Sequence, residues 1–520
     1  VLHLLRHPPK NPLNKNFPGS NPQISMSETN STADSRDVVL RSSIDRSLRH
    51  PVMFFFTSGA VWLALAIVLG LVASAKKHSP EFLTCFSWLD AGKVDAAHMS
   101  AMIYGWGLQA AFGIIIWLMA RLSRKECTAA GVILWAGHAW NAAVFYGVVR
   151  IMMGEGSGVT YMEFPSEVWP VLLLCYSVIT IWSLIQFQVR DAGHVYVSQW
   201  YLLAGLLWFP WIAVTAWVFV FLMDGHPLMV TGVAAWFKGT LFSLFFLPVA
   251  LASSYYLAPK VTGRPVYSYN IALFGFWSLA VFGPWAGMQK LVGAPVPQFL
   301  PYAGAASMIL ILIPAIAVGY NIIRTVIGNS EVVAESPSLR FTAAGIVLFI
   351  VFGVLSVLLH TVPAMKLTQF SYTGYGFDIL GLYGVFSLCS FGAIYFIVPR
   401  ITRREWLSRR FIKWHFYCSL YGVSSIVLCA VIGGLTQGQG IEDLSQPFGT
   451  MAERASQVGW GVTLAWAFLL IANLFFCLHL LLMWARLGRR SSHPTLLKAH
   501  HPESPHGPEG EVDNYSSASA

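Results

Sequence analysis

Apolar residues run along this chain in long blocks parted by short polar stretches. Twelve blocks are long enough to cross a hydrocarbon core, which takes about 17–25 residues. They lie at 52–74, 95–120, 128–150, 168–188, 198–222, 231–257, 268–288, 302–326, 341–363, 375–398, 412–434 and 458–484. A bilayer supplies no water to unpaired backbone groups, so each block is expected to close its hydrogen bonds internally as a helix. The pattern predicts an all-α polytopic membrane protein of twelve transmembrane helices.

Composition agrees. The 520 residues are 56% hydrophobic and 11% charged, with a mean hydropathy of +0.59, whereas a soluble domain carries about 25% charged residues. Both ends are different material. Residues 1–50 form a polar extension rich in Pro, Asn and Ser, without the pattern of a signal peptide. Met26 makes a more natural start than Val1, so 1–25 is a candidate untranslated stretch. The twelve-helix domain is expected over 51–486, followed by a tail, 487–520, whose composition predicts disorder. The tail histidines His493, His500, His501 and His506 fit a solvated linker better than a metal site.

The formal charge of +9 reads as topology, not as nucleic-acid binding. Loops after helices 2, 4, 6, 8 and 10 hold fourteen Lys and Arg, against seven in the alternate loops. Positive residues favour the cytoplasmic side, so both termini are expected there. The cluster "RITRREWLSRRFIK" (400–413) supplies most of that bias and reads as an anchor against anionic lipid headgroups. Seven scattered cysteines form no C-x-x-C or C-x-x-C-H, so the signatures of zinc binding and of covalent c-type heme attachment are both lacking.

Ionisable side chains within membrane segments are costly and point to function. The candidates in or beside the blocks are His98, His138, His360, His415, His479, Lys238 and Asp378. A lone helix histidine most often bonds a carbonyl, which is the reading for His138, His360 and His479. His415 follows the basic cluster and is expected at headgroup level. A heme or metal site needs convergent ligands from different helices, and no H-x-H or H-H pair stands inside a block.

Seven motifs then carry a resemblance: "FSWLDAGKVDAAHMSAMIYGWG" (86–107), "HVYVSQWYL" (194–202), "YYLAPKVTGRPVYSY" (255–269), "PWAG" (284–287), "FGAIYFIVPR" (391–400), "WHFY" (414–417) and "GLTQG" (434–438). In this order they resemble the large subunit of the cbb3-type cytochrome c oxidases, the C family of heme–copper oxygen reductases, and more distantly the nitric oxide reductases. The resemblance spans about residues 50–485 and implies a twelve-helix core. It also implies a low-spin heme ligand at His98. The other ligand positions it implies hold different residues: Phe377 and Ile379 on helix 10 for the two hemes, Gly239 on helix 6 and Gln289 and Lys290 on helix 7 for copper. The family's catalytic Tyr falls at Gly283.

Hydrocarbon side chains cannot ligate iron, and Gly, Gln and Lys offer copper no imidazole. The resemblance therefore implies a degenerate paralogue. One heme b through His98 is the cofactor it could retain; copper is not expected. Lys238 and Asp378 each stand one residue from a missing ligand, on facing helices, and are candidates for a buried ion pair in the vacated heme cavity. The first expectation for function is a non-catalytic structural, assembly or sensing component of a respiratory membrane complex, beside c-type cytochrome subunits in a bacterial inner membrane. The alternatives are a single-heme electron-transfer protein and a genuine oxygen or nitric oxide reductase. Transport through the vacated cavity is a fourth class, and no broken-helix repeat supports it.

Overall fold

The computed structural model describes residues 22–490, apart from 192, 224, 329, 444, 446 and 489. Most of the tail and nearly all of the candidate untranslated stretch lie outside the described residues. The chain divides into two compact units, Val1–Ser43 and Ile44–Ala520. The described part of the first is helical and carries an Arg41–Asp37 ion pair one turn apart. The second holds the helical bundle and begins seven residues ahead of the boundary expected from composition, because Ile44 and Leu48 are already buried.

Twelve helices are long and apolar enough to cross a membrane. We number them α1 (Asp37–His78), α2 (Ala91–Ser123), α3 (Ala130–Met153), α4 (Val168–Gln188), α5 (Val197–Leu222), α6 (Pro227–Thr262), α7 (Tyr269–Leu291), α8 (Phe299–Val326), α9 (Pro337–Leu359), α10 (Thr373–Thr402), α11 (Arg409–Glu442) and α12 (Phe448–Trp484). Hydroxyl caps start several of them where the sequence leaves a polar stretch. Ser268, Ser336 and Ser408 accept the backbone N–H of Ile271, Leu339 and Phe411, meeting donors that the first helical turn leaves free.

Burial sorts the helices. The apolar windows of α2 and α10 are fully buried and that of α6 is 89% buried, while those of the other nine are between 33% and 61% buried. These three are thus the centre of the bundle. Each also contains a π-helical stretch, at Ala101–Gly107, Phe242–Phe246 and Leu380–Ser387, a form that recurs at functional sites.

The recognised motifs hold the bundle together. Tyr255 accepts a hydrogen bond from the Asn321 amide at 3.3 Å, and Asn321 also accepts the N–H of Ser268 at 3.0 Å. One buried asparagine on α8 therefore ties the end of α6 to the start of α7. His415, expected at headgroup level, is fully buried in protein. Its Nδ1 pairs with the Tyr395 hydroxyl at 2.8 Å, and its ring stacks on Phe476. Phe391 meets the same group edge-on, so aromatic bulk fills the space among α10, α11 and α12. The basic loop at 400–413 is fastened to the chain beyond α12, where Arg404 donates to the Gly488 carbonyl at 2.6 Å.

Candidate functional site

His98 stands near the start of α2 with no solvent exposure. Its ring lies on α1 at Gly70, where an added Cβ would come within 2.7 Å of Cε1. Nδ1 is 2.7 Å from the Ala66 carbonyl, so it carries the proton and donates. That leaves Nε2 as the basic nitrogen, buried and without a hydrogen-bond partner. A histidine ligating a metal is oriented in this way, one ring nitrogen donating to a carbonyl and the other free. His138 and His360 share the Nδ1–carbonyl contact but make it to their own helices, four residues back, and not across to a neighbouring one. His138 and His360 pair through Nδ1 with the Leu134 and Ser356 carbonyls, and His479 accepts the Ser408 N–H.

Opposite, α6 and α7 build a tight wall. The α-helix of α7 ends at Phe282, and two 3-10 turns follow, Gly283–Trp285 and Met288–Leu291. Gln289 and Lys290 therefore sit on a turn and not on a regular helix. Three glycines seat that turn. A Cβ on Gly239 of α6 would lie 2.4 Å from Ala286 C and Gly287 N, and one on Gly304 of α8 would lie 2.3 Å from Gln289 N. Gly287 itself has φ +97°, and a Cβ there would meet the Ala235 carbonyl at 2.0 Å. Trp236 locks the arrangement by donating to the Pro284 carbonyl at 2.9 Å.

α10 supplies the third wall. Phe377 stacks on Phe352 with ring centroids 4.2 Å apart, and Ile379 is fully buried. Between them Asp378 reaches across to α6, its Oδ2 2.5 Å from Lys238 Nζ. Their side chains keep 20% and 26% of their surface, so the pair is partly solvated. Lys238 Nζ also stands over the Tyr161 ring, 4.9 Å from its centroid.

These walls enclose a cavity of about 80 Å³, lined by Lys238, Asp378, Lys290, Gln289, His360 and Tyr161 together with Phe242, Phe352 and Phe377. One water needs about 10–15 Å³ by this kind of measure, so the space takes several waters or one small solute. Behind Tyr161, in the loop joining α3 to α4, lies Glu163, only 6% exposed. Its carboxylate accepts the Tyr161 N–H at 2.8 Å and the Ser100 hydroxyl at 3.1 Å. Burial pushes its pKa up from 4.5 to about 7, against the opposing pull of those hydrogen bonds and of Lys238.

Comparison with known proteins decides what this scaffold is. Residues 50–464 match the family model described as cytochrome c and quinol oxidase polypeptide I. The chain belongs to that family. Among its relatives, a cytochrome c oxidase subunit 1 homolog of Azorhizobium caulinodans is 24% identical over 395 residues, covering 72% of this chain and 70% of the relative. The cbb3-type cytochrome c oxidase subunit CcoN1 of Stutzerimonas stutzeri is 25% identical over 392 residues, covering 73% and 81%. A solved heme–copper terminal oxidase dimer shares the fold, with a TM-score of 0.69 and 90% of both chains covered at 14% identity.

In this oxidase subunit I homologue the donor set is the question. Among the described residues no group of three or more His, Cys, Asp or Glu side chains could hold a metal ion. Gly239 carries no donor and the packing leaves it no room for one. Gln289 turns its Oε1 to the Gly287 N–H at 2.8 Å. At the positions where the resemblance places copper ligands, Gly239, Gln289 and Lys290 offer no imidazole. A heme b would find one imidazole nitrogen at His98, which is unpartnered, and none at Ile379. Sequence reading missed Glu163 and Tyr161, because it looked for ionisable groups inside the apolar blocks. The signal was an acid in the loop "GVTYMEFPSE", between two membrane helices. It also counted Lys290 only as a missing ligand and passed over its charge.

Proposed function

We propose that this chain is a non-catalytic member of the oxidase subunit I family, in which protein packing and the Lys238–Asp378 pair replace the binuclear centre. It serves as a structural, assembly or sensing subunit of a respiratory membrane complex, beside c-type cytochrome subunits, in a bacterial inner membrane with both termini cytoplasmic. One observation carries the reading: the Ala286–Gly287 backbone occupies the volume that any side chain at position 239 would need. Loss of a ligand by substitution alone would leave the space of its side chain open, which packed interiors disfavour. Here the opposite wall has closed onto the position.

The test is elemental analysis of the purified chain together with oxygen uptake from an artificial electron donor. The expected result is copper far below one per chain and no uptake. Stoichiometric copper, or oxygen reduction by the chain alone, overturns the reading.

A second reading rests on the unpartnered Nε2 of His98: a single heme b bound through that nitrogen, for electron transfer. It predicts a Soret band that is lost in His98→Ala and kept in His138→Ala and His360→Ala. A band that survives His98→Ala removes it.

A further inference from the structure

The charges around the central cavity do not balance. Lys238 and Asp378 satisfy each other at 2.5 Å. Lys290 stands on the same cavity wall, close enough to feel both. Among the described residues no carboxylate lies within ion-pair distance of its ammonium, and no acceptor takes a hydrogen bond from it. Its backbone is nonetheless firmly held, since the Gln369 amide donates to the Lys290 and Val292 carbonyls at 2.9 and 3.0 Å. The backbone of the lysine is thus held while its ammonium has no ion-pair partner among the described residues, a costly arrangement within a membrane-spanning segment unless something supplies the counter-charge.

The neighbouring side chain points the same way. Gln289 spends its Oε1 on the Gly287 N–H, which orients the amide and leaves its NH2 as the free end. No described acceptor takes those two N–H donors. Three hydroxyls on the wall are already committed, Ser243 to the Gly283 carbonyl, Thr368 to Leu359 and Thr373 to Thr368, which leaves that of Tyr161. His360 donates Nδ1–H to Ser356 and keeps Nε2 unused. What remains available in the cavity is the Lys290 ammonium, the Gln289 NH2, the Tyr161 hydroxyl and an imidazole nitrogen, with Asp378 the one acidic group among the lining residues.

We infer that this cavity binds a small monovalent anion, chloride or a carboxylate of one or two carbons, held by the Lys290 ammonium and the Gln289 amide. The formal charge of the cavity is +1, from two lysines and one aspartate, which one monoanion neutralises. The volume of about 80 Å³ accommodates an ion of that size with a few waters. Phe242, Phe352 and Phe377 make much of the remaining wall apolar, and lower local polarity strengthens the attraction. The inference rests on the reading that the metal centre is replaced.

The experiment uses the full chain in lipid nanodiscs, exchanged into sodium gluconate. Calorimetric titration with sodium chloride and with sodium formate is run at constant ionic strength, with copper and iron measured on the same sample. Saturable binding at one site per chain is expected. Lys290→Gln should weaken it on the order of tenfold or more, the effect of removing a nearby charge at an effective dielectric of about 20. Asp378→Asn should tighten it by a similar factor, because it removes the one repelling group and frees Lys238. The second variant keeps the test decisive where the first does not fold, since a merely structural role cannot tighten an anion site. A metal-free sample with no saturable binding, or affinity unmoved by both substitutions, overturns this inference and leaves the proposed function standing. Stoichiometric copper in the sample overturns both.

Discussion

Removing one member of the Lys238–Asp378 pair should be costly in a way that depends on which member goes. At 2.5 Å and an effective dielectric of about 20, the gross attraction is about 6–7 kcal/mol, largely offset by what it costs to take both ions out of water. Orphaning a buried charge usually costs about 3–5 kcal/mol. Asp378→Asn should approach that figure, because it leaves Lys238 and Lys290 facing one another without an acid. Lys238→Met should cost less, about 1–2 kcal/mol, since Lys290 on the same wall can serve as the new partner of Asp378 and the pair is already partly solvated. In the double variant the orphan left by Asp378→Asn is removed, so it should be more stable than that single variant. The assay is unfolding in mixed micelles with increasing SDS, followed by tryptophan fluorescence, in gluconate so that no small anion rescues the lysines. If the two single losses add in the double variant, or if Lys238→Met proves the more damaging change, the electrostatic account is wrong.

Two further outcomes follow from the same centre. Gly239→Ala should destabilise the chain by about 2–3 kcal/mol or more, the upper range for overpacking, since the new Cβ would meet the Ala286–Gly287 backbone at 2.4 Å; a thermal midpoint equal to the parent's shows that the turn moves freely. Glu163 should make stability depend on pH. Its pKa is about 7 in the fold against 4.5 when free, so the folded chain holds the proton through a range in which the unfolded chain has released it. The resulting stability is present in full below pH 4.5 and falls as pH rises to about 7, by at most about 3 kcal/mol. Glu163→Gln should flatten the thermal midpoint across that window, and an unchanged slope refutes the assignment.

The bundle was legible because hydropathy reports where a helix must bury its backbone. Each of the twelve apolar blocks corresponds to an observed spanning helix. The ends were not legible: α1, α11 and α12 extend well past their blocks, because an apolar run measures hydrocarbon and a helix continues beyond it. Nor could the block 268–288 reveal that its α-helix stops at Phe282 and gives way to 3-10 turns, since "PWAG" remains apolar while breaking the geometry. At the site, Asp378 and Lys238 were visible as misplaced charges, but their meeting depends on side-chain direction. The π-helical stretch Leu380–Ser387 separates Phe377, Asp378 and Ile379 from the motif at 391–400, so a count at 3.6 residues per turn across it points to the wrong face. Glu163 reaches the centre only through the fold of a loop, which periodicity cannot describe.

Gly239 also governs how this chain can change over generations. A histidine at Phe377 or Ile379 would replace a side chain of comparable or greater bulk, and drift can sample it. At Gly239 the same change must first evict the Ala286–Gly287 backbone, which Trp236 holds through Pro284, in a turn whose Met288–Gln289 backbone packs on Gly304. Each single substitution toward a metal-binding imidazole there passes through a less stable protein, with no benefit until the others have arrived. The closed wall works as a ratchet, letting neighbouring positions wander while it bars an imidazole at position 239.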